Sequence, residues 1–286
     1  MSELRAVSLS HIYSQGTPFE KTALHDVDLT IPQGQMVGIA GKTGSGKSSL
    51  IQHFNAILQP SSGSVLLGGK DINADKASRR AARFQVGLVF QYPEYQLFEE
   101  TVYKDIAYGP GNMGLSKTEI DERVREAAGF AAVEEELFDK SPLELSGGQK
   151  RRIAIAGVIA MRPEVLILDE PTAGLDPSAC RRVLRNISRY REGTGSTVIV
   201  VSHNMDDLAR IADRLIILSD GTIALDGAPA EVFSDPEKLS SLGLSVPKAT
   251  EIALALRRRG IPLEGAIYTR AQLKAAILRA KEAPAC

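Results

Sequence analysis

The residues from Gly41 to Ser48 have the types and the spacing of a phosphate-binding loop. They follow a short apolar run, Met36–Ala40, and three glycines precede Lys47 and Ser48. Glycines let backbone N–H groups surround an anion without Cβ clashes, and the positive end of the following helix points at the same anion. In such loops the lysine reaches the β- and γ-phosphates and the hydroxyl binds Mg²⁺.

Two carboxylates, Asp169 and Glu170, directly follow the apolar run Val165–Leu168. A buried strand can hold Asp169 rigidly beside the metal of the phosphate loop, and Mg²⁺ keeps most of its waters, so one protein carboxylate is enough. Glu170 is then placed to orient or deprotonate an attacking water. Taken alone, the pair is also compatible with a solvated strand end, and the phosphate loop upstream favours the metal site.

A second helix start, from Ser146 to Gln149, can also attract an anion. Ser-Gly-Gly-Gln has the spacing of a capping box, and its two glycines expose backbone N–H groups. A plain capping box explains the same residues. Two anion-binding helix ends in one chain nevertheless raise a question, because one nucleotide needs only one phosphate loop.

Short apolar runs that alternate with helical patterns must position these groups. Strand–helix alternation of this kind predicts an α/β fold with a mostly parallel, buried sheet and helices on its faces. Two further strands are predicted near the start of the chain, at Leu4–Leu9 and Ala23–Ile31. The runs predicted for the sheet are Met36–Ala40, Val86–Phe90, Val165–Leu168, Thr197–Val201 and Leu215–Leu218.

The pattern changes after Asp226. Residues 1–226 are predicted to form one domain with a helical subdomain at about 92–162, and residues 227–286 a small α-rich C-terminal domain. Helices are expected at Val246–Arg259 and Thr269–Lys281. Thr269 and Gln272 fit a capping box at the start of the second helix.

Composition excludes several classes of protein. The chain has 286 residues and a net charge of −1, so no overall basic field holds nucleic acid. The longest nearly apolar run, Ile153–Met161, is far shorter than the about 20 residues of a membrane span. We expect a chain that does not cross a membrane itself but can dock onto a protein that does.

Four motifs together resemble an ABC-type ATPase domain over roughly residues 4–225. They are Gly41–Ser48, the signature segment Leu145–Gln149, Leu168–Pro171 and His203, in this order. The resemblance implies a P-loop domain with a RecA-like core, an antiparallel β-subdomain and a helical subdomain. It also implies that two domains pair head to tail, with ATP between the phosphate loop of one and the signature segment of the other, which answers the question of two anion sites.

The resemblance assigns further residues one at a time. Gln91 matches a glutamine that senses Mg²⁺ and the lytic water, Asp176 matches an aspartate that acts across the dimer, and His203 matches a histidine that contacts the γ-phosphate. Tyr13 is expected to stack on adenine, with Phe19 as the rival. Taken alone, Gln91 would be a polar strand end and His203 a surface or core histidine.

The implied site is therefore a composite of three sets of residues. The catalytic set is Glu170, His203, Gln91 and Lys47, and the metal set is Ser48, Gln91 and Asp169. The ATP-binding set is Tyr13, Gly41, Lys42, Thr43, Gly44, Ser45, Gly46, Lys47, Ser48, Ser49, Ser146, Gly147, Gly148, Gln149 and Asp176. His11, His25 and His53 have no metal-binding spacing and are interpreted as structural or surface residues.

Further stretches narrow the resemblance to the ATPase subunits of energy-coupling factor transporters, the second (A′) type above all. They are Gln91–Val102, Asp105–Pro110, Glu170–Pro177 and Leu242–Pro247. This implies a peripheral subunit at the cytoplasmic face of the membrane that drives uptake of a vitamin or other micronutrient. Its partners would be a second ATPase (a paralogue rather than a copy), a transmembrane T component and, indirectly, a substrate-binding S component.

Two alternatives stay open. One is the homodimeric ATPase of an importer for cobalt, nickel or biotin. The other is a soluble ABC ATPase acting on nucleic acid or ribosomes, which the net charge and the single ATPase unit disfavour.

Two segments of the chain are expected to contact partner proteins. Glu94, Glu99 and Glu100 are expected to receive arginines from coupling helices of the T component at Gln91–Val102, and the alternative is a solvated acidic face. Residues 227–286 are expected to pack against the second ATPase and hold the dimer without ATP, and the alternative is a cap folded onto its own core. The apolar positions behind this idea are Ile252, Leu254, Leu256, Leu273, Ile277 and Leu278.

Overall fold

The computed structural model describes residues 3–282 and contains two sheets. The strands are β1 (Leu4–Tyr13), β2 (Lys21–Ile31), β3 (Met36–Ala40), β4 (Ser62–Leu67), β5 (Lys70–Asp71), β6 (Val86–Val89), β7 (Val165–Asp169), β8 (Thr197–Val201), β9 (Arg214–Ser219) and β10 (Thr222–Gly227). The helices are α1 (Lys47–Phe54), α2 (Lys76–Gln85), α3 (Val102–Asn112), α4 (Lys117–Ala131), α5 (Gly147–Ile159), α6 (Pro177–Thr194), α7 (Met205–Ile211), α8 (Pro229–Val232), α9 (Pro236–Ser241), α10 (Lys248–Arg258) and α11 (Arg270–Glu282).

The smaller sheet is antiparallel and has the strand order β2-β1-β4-β5. β1 and β2 follow the alternating apolar pattern of the sequence, with Leu4, Leu24 and Ile31 fully buried. β4 and β5 were not predicted. β4 begins at Ser62-Gly63, and this polar, glycine-containing start hides the strand that follows it.

The larger sheet has the order β10-β9-β3-β8-β7-β6, and all its strands except β10 run parallel. The predicted mostly parallel sheet is thus confirmed, with one antiparallel edge strand added. Successive residues of its strands point into two different cores, which explains the unbroken apolar runs. Met36, Leu166 and Val200 face the core under the helices, whereas Val37 and Ile167 face the core shared with the smaller sheet.

The parallel arrangement brings four predicted site segments to one edge of the sheet. β3 leads into Gly41, β6 ends just before Gln91, β7 ends at Asp169, and β8 leads into Ser202 and His203. Because carboxyl ends of parallel strands lie on the same side of such a sheet, ligands bind there.

The helical segment between β6 and β7 contains α3, α4 and α5, as the sequence predicts for about 92–162. Val102, Ile106, Val124 and Ile153 are buried where these helices pack on the main core. Within residues 3–282, no helix combines the length and apolar composition of a membrane span.

The C-terminal region has two parts that differ in packing. Val232, Phe233 and Leu239 join the main core, which agrees with the alternative that this region folds onto its own domain. The second part, α10 and α11, surrounds a separate small cluster. The capping box at the start of α11 is confirmed, because the Gln272 side chain accepts from Thr269 N–H at 2.9 Å and Gln272 N–H donates to Thr269 Oγ1 at 3.3 Å.

The six apolar positions of α10 and α11 differ in burial. Leu256 and Leu273 pack against the small cluster, and Leu254 is half-buried. Ile252, Ile277 and Leu278 are 47%, 39% and 48% exposed. Contact with a second ATPase through these three side chains stays a prediction.

Candidate active site

The phosphate loop can be built only with glycine at two positions. Gly41 has φ 155° and a Cβ there would lie 2.3 Å from the Leu218 carbonyl oxygen. Gly46 has φ 104° and its Cβ would lie 2.6 Å from the Ala23 carbonyl oxygen. The loop therefore passes so close to neighbouring backbone that side chains are excluded.

The Lys47 side chain folds back over this loop. Its Nζ donates to the carbonyl oxygens of Gly41 and Lys42 at 2.7 and 2.8 Å. Burial lowers the pKa of Lys47, and the negative charges of Glu170 and Asp169 oppose that shift. The first N–H groups of α1 lack helical acceptors, as at any helix start, so cation and donors converge where phosphates would bind.

One hydroxyl of the loop is buried. Ser45 is only 4% exposed, and its Oγ has no hydrogen-bond partner among the described residues. Ser45 does not line the cavity over the loop, so a contact of its side chain with ATP stays a prediction. The loop has the shape and the charge that a phosphate group requires.

A cavity of about 800 Å³ opens over the phosphate loop. This volume lies within the ordinary range for small-molecule sites. The predicted residues that line it are Tyr13, Gly41, Lys42, Thr43, Gly44, Gly46, Lys47, Ser48, Ser49, Gln91, Asp169, Glu170 and His203. Three residues of the C-terminal region that sequence reasoning missed, Gly243, Leu244 and Ser245, line it too.

Asp169 sits where a cation would bind. Burial, followed by the charge of Glu170, raises the pKa of the Asp169 carboxyl to about 6, although the Lys47 ammonium opposes the shift. A buried carboxylate beside another carboxylate gains from a nearby cation. With the exposed Ser48 hydroxyl and the Gln91 amide on the same cavity, these are the oxygen ligands that Mg²⁺ prefers.

Glu170 and His203 are in direct contact. The Glu170 carboxylate accepts from the His203 backbone N–H at 3.0 Å and lies 2.9 Å from His203 Nδ1. The carboxylate is 11% exposed and the imidazole 73% exposed. Glu170 has φ 50°, and its own N–H donates to the Val201 carbonyl oxygen at 2.9 Å, which fixes the turn after β7.

The two aromatic candidates for adenine stacking lie in different environments. Tyr13 lines the cavity, and its hydroxyl is 3.0 Å from Ser49 Oγ on α1. Its ring also packs edge-on against His11, with 4.4 Å between centroids. Phe19 is 84% exposed and is not among the residues that line the cavity. The geometry favours Tyr13.

The signature residues do not reach this cavity. Ser146 caps α5, and the capping box with Gln149 is complete, while Gly147 and Gly148 are exposed. Asp176 caps α6 by accepting from the N–H groups of Ser178 and Ala179 at 2.8 and 3.0 Å. These residues are absent from the lining of the phosphate cavity in the described part of the chain. One chain thus carries two separate halves of the predicted ATP site.

The hypothesis that Glu94 receives an arginine from another protein is wrong. Its carboxylate is already paired with Arg151 of α5, which donates through Nε and Nη2 at 3.2 and 3.1 Å. Glu100 pairs with Lys104 on the same chain, at an exposed position. Of the three glutamates, only Glu99 has no ion-pair partner within residues 3–282.

Two of the histidines interpreted as structural form a buried pair. His11 and His53 are 8% and 0% exposed, with ring centroids 4.7 Å apart. The ring nitrogens of His11 have no hydrogen-bond partner within residues 3–282. Burial, followed by the proximity of His11, lowers the pKa of His53 to about 4. The pair packs behind Tyr13, and the lowered pKa keeps the His53 ring uncharged at neutral pH.

Comparison with known proteins gives the family context. The family model described as ABC transporter matches residues 24–173. Two relatives named energy-coupling factor transporter ATP-binding protein EcfA2, from Caldanaerobacter subterraneus subsp. tengcongensis and Clostridium perfringens, are 52% and 50% identical over 276 residues. The matches cover 96% of this chain and 96% and 97% of the two relatives.

Solved structures have the same fold. The structure of cbiO1 from Clostridium perfringens, described as part of the ABC transporter complex cbiONQ, has a TM-score of 0.75 and 38% identity, covering 88% of this chain and 98% of its own. The ATP-binding cassette MJ0796, solved as a dimer in a post-hydrolysis state with ADP and Pi, has a TM-score of 0.71 and 28% identity, covering 79% and 98%.

Proposed function

This chain belongs to the ABC transporter family, and within it to the energy-coupling factor transporter ATP-binding proteins, and we propose that it binds ATP with Mg²⁺ and hydrolyses the ATP to drive an importer. The observation that carries the proposal is the convergence of Lys47, Asp169, Glu170 and His203 on one cavity. Phosphate binding, metal binding and water activation then share a single site.

The chain's own residues account for nucleotide binding. Lys47 would exchange its contacts with Gly41 and Lys42 for the β- and γ-phosphates, because its ammonium already lies over the loop. Tyr13 would stack on the adenine ring. Asp169, Ser48 and Gln91 would hold Mg²⁺, which when bound neutralises phosphate charge and keeps the phosphates aligned.

Hydrolysis is assigned to Glu170 and His203. The Glu170 carboxylate would accept a proton from a water in line with the γ-phosphate. The His203 backbone N–H would hold that carboxylate in place, while the 73% exposed ring would exchange its contact with Glu170 for one with the γ-phosphate. Catalysis here depends on positioning and charge rather than on a covalent intermediate.

A second ATPase domain would complete each site. The exposed glycines at the start of α5 offer N–H groups that the phosphate loop of the same chain does not use. Their separation from the phosphate loop supports a head-to-tail pair in which Ser146–Gln149 and Asp176 serve the partner's nucleotide. The resemblance to the A′ type favours a paralogue as this partner.

The T component would dock beside Gln91–Val102. Tyr92, Tyr95, Phe98 and Tyr108 are 45%, 84%, 64% and 50% exposed there, and Phe98 packs edge-on against Tyr108. A surface hollow of about 290 Å³ next to them is lined by residues that include Glu99 and Tyr108. An exposed aromatic patch with one unpaired carboxylate suits a helix that carries apolar and arginine side chains.

With these partners the chain would lie at the cytoplasmic face of the membrane, in an importer for a vitamin or other micronutrient whose S component binds the substrate. A second candidate is a homodimeric importer ATPase for cobalt, nickel or biotin. The likeness to cbiO1, described as part of the ABC transporter complex cbiONQ, supports a transporter complex for either candidate. The two differ in whether the second ATPase is a paralogue or a copy.

The experiment uses tagged Glu170→Gln protein, purified with ATP from detergent-solubilised membranes and analysed by mass spectrometry. The substitution slows hydrolysis and should trap the closed dimer. Co-purification of a polytopic membrane protein and a second ATPase supports the energy-coupling factor importer. A membrane protein with this ATPase alone supports the homodimeric importer. Ribosomes or nucleic acid without membrane proteins would contradict the transport function.

A further inference from the structure

Part of the wall of the phosphate cavity comes from the C-terminal region. Gly243, Leu244 and Ser245 line the cavity together with Lys42 and His203. These three residues follow α9, outside the four motifs that define the ATPase domain. The phosphate loop and the C-terminal region therefore meet at the site itself.

The main core fixes the position of this wall. α9 ends in a Schellman motif, with Leu244 N–H donating to Leu239 and Gly243 N–H donating to Ser240, both at 2.9 Å. Gly243 has φ 71°, the left-handed conformation that such an ending requires. Leu239 is fully buried in the main core, so Gly243 is held in register with the ATPase domain.

Gly243 lies directly against the side chain of Lys42. A Cβ added to Gly243 would lie 3.1 Å from Lys42 Cδ, 3.4 Å from Cγ and 3.5 Å from Cε. The aliphatic stem of Lys42 thus lies beside the Gly243 backbone, and Lys42 also lines the phosphate cavity. A Cβ at this position would make the stem shift by a few tenths of an ångström.

A second contact ties the C-terminal region to the segment after His203. The Lys248 N–H donates to Asp206 Oδ1 at 3.1 Å. The Asp206 N–H in turn donates to the side chain of Asn204 at 3.0 Å, and Asn204 follows His203 in the chain. The region therefore contacts both the phosphate loop and the segment of the histidine expected at the γ-phosphate.

We propose that Gly243–Ser245 belongs to the nucleotide site. Gly243 positions the Lys42 side chain and so links nucleotide binding to the C-terminal region. The inference rests on the proposed ATP-binding function. Because coupling between sites is reciprocal, a wall that strengthens nucleotide binding must itself be stabilised by the nucleotide. Gly243 is a positioning residue, since it acts through Lys42.

A second glycine, Gly260, serves as the control that separates the effect of the Lys42 contact from the effect of backbone strain. Gly260 ends α10 in the same Schellman motif, with Ile261 N–H donating to Leu256 and Gly260 N–H donating to Arg257. It has φ 83°, but a Cβ there would have nothing within 4 Å. Alanine at either position strains the helix end, and only Gly243→Ala also pushes on Lys42.

The first test measures MgATP affinity by calorimetry on full-length chains that carry Glu170→Gln, so that ATP is not consumed. We expect Gly243→Ala to weaken binding about fivefold or more relative to Gly260→Ala. In a Lys42→Ala background the added effect of Gly243→Ala should disappear. Equal affinities of the two glycine variants would overturn the inference. Failure of the Glu170→Gln chain itself to bind ATP would instead contradict the proposed function.

The second test needs no change at Gly243 and so covers the case in which Gly243→Ala misfolds. Hydrogen exchange of the full-length chain is compared with and without MgATP. We expect the amides of residues 243–248 to gain protection together with those of the phosphate loop, while residues 260–265 do not change. Protection of the phosphate loop without any gain at 243–248 would overturn the inference.

Discussion

The Arg151 guanidinium binds both oxygens of the Glu94 carboxylate, and its third nitrogen, Nη1, donates to the Ala173 carbonyl oxygen at 2.7 Å. Arg151 belongs to the helix that begins at the signature segment, Glu94 to the segment after Gln91, and Ala173 to the loop that follows Glu170. One nearly buried side chain therefore joins three segments around the proposed site.

Removing Glu94 should destabilise the fold strongly. The Arg151 side chain is 5% exposed and that of Glu94 17%, so Glu94→Ala leaves a buried charge without its partner. We expect a loss of about 3–5 kcal/mol in the free energy of unfolding, measured by urea denaturation. Glu100→Ala, which breaks an exposed pair with Lys104, should lower the free energy of unfolding far less, because water screens exposed pairs. Similar losses in both variants would refute this assignment.

Glu170→Gln should separate binding from hydrolysis. The glutamine can still accept from the His203 N–H, but it cannot take a proton from water. We expect the ATPase rate to fall about 10²–10⁴-fold, with MgATP affinity little changed. Glu122→Gln, at an exposed position of α4, should keep the wild-type rate. A rate that survives in Glu170→Gln would remove Glu170 from the mechanism.

Tyr13 and Phe19 can be told apart by truncation. Stacking of a base on an aromatic ring is worth about 1–3 kcal/mol, so Tyr13→Ala should weaken ATP binding about tenfold or more. Tyr13→Phe keeps the ring and should stay close to wild type. Phe19→Ala, at an 84% exposed position, should have no effect. Titration with ATP measures all three, and the reverse order would make Phe19 the stacking residue.

Acid should weaken the fold through His53. Its folded-state pKa of about 4 lies below the ordinary histidine pKa of 6.5, so the unfolded chain binds the proton more readily. Stability from this group is complete above about pH 6.5 and is lost as the pH falls towards 4. Between pH 7 and pH 5 we expect a loss of up to about 2 kcal/mol in the free energy of unfolding.

His53→Leu should remove that loss, because His11 then packs against a side chain that cannot take up a proton. His25→Leu, at an exposed strand position, should leave it in place. Urea denaturation at the two pH values measures both variants. A loss of the same size in His53→Leu and in the wild type would exclude His53 as its source.

Charge reversal at Glu99 should release the T component. Glu99 is the glutamate of the three without an ion pair in residues 3–282, and it lines the hollow beside the exposed aromatic side chains. We expect Glu99→Lys to lose the membrane protein in the pull-down and to keep ATP affinity. Glu237→Lys, an equal change of charge on α9, should retain it. Assembly that survives Glu99→Lys would move the docking surface elsewhere.

Residues with short sequence spacing were predictable, and contacts between distant residues were not. The phosphate loop, the pair Asp169–Glu170 and the capping boxes at Ser146 and Thr269 depend on spacings of a few residues, which the sequence displays. The ion pair of Glu94 and Arg151 joins residues 57 positions apart, and nothing near Glu94 marks its partner. The sequence alone therefore presents Glu94 as a carboxylate without an ion-pair partner.

The lining residues Gly243–Ser245 were not predicted for the same reason: their place at the cavity depends on contacts between distant residues. Gly243 is visible in the sequence as a helix end, but its contact with Lys42 depends on how α9 packs on the main core. The ring pair of His11 and His53 likewise needs the packing of β1 against α1. Without metal-binding spacing, the histidines carried no signal of proximity.

The small cluster under α10 and α11 affects where the protein unfolds locally. Its buried members are Ala249, Ala253, Leu263, Ile267 and Ala276. Three of the five are alanines, which bury little apolar surface. The free energy of local unfolding should therefore be lower for these two helices than for the main core. A protease should therefore cut first at the exposed Arg257–Arg259 and leave the ATPase domain intact. Local unfolding would thus loosen α10 and α11 while Leu239 and Phe233 still anchor the preceding segment.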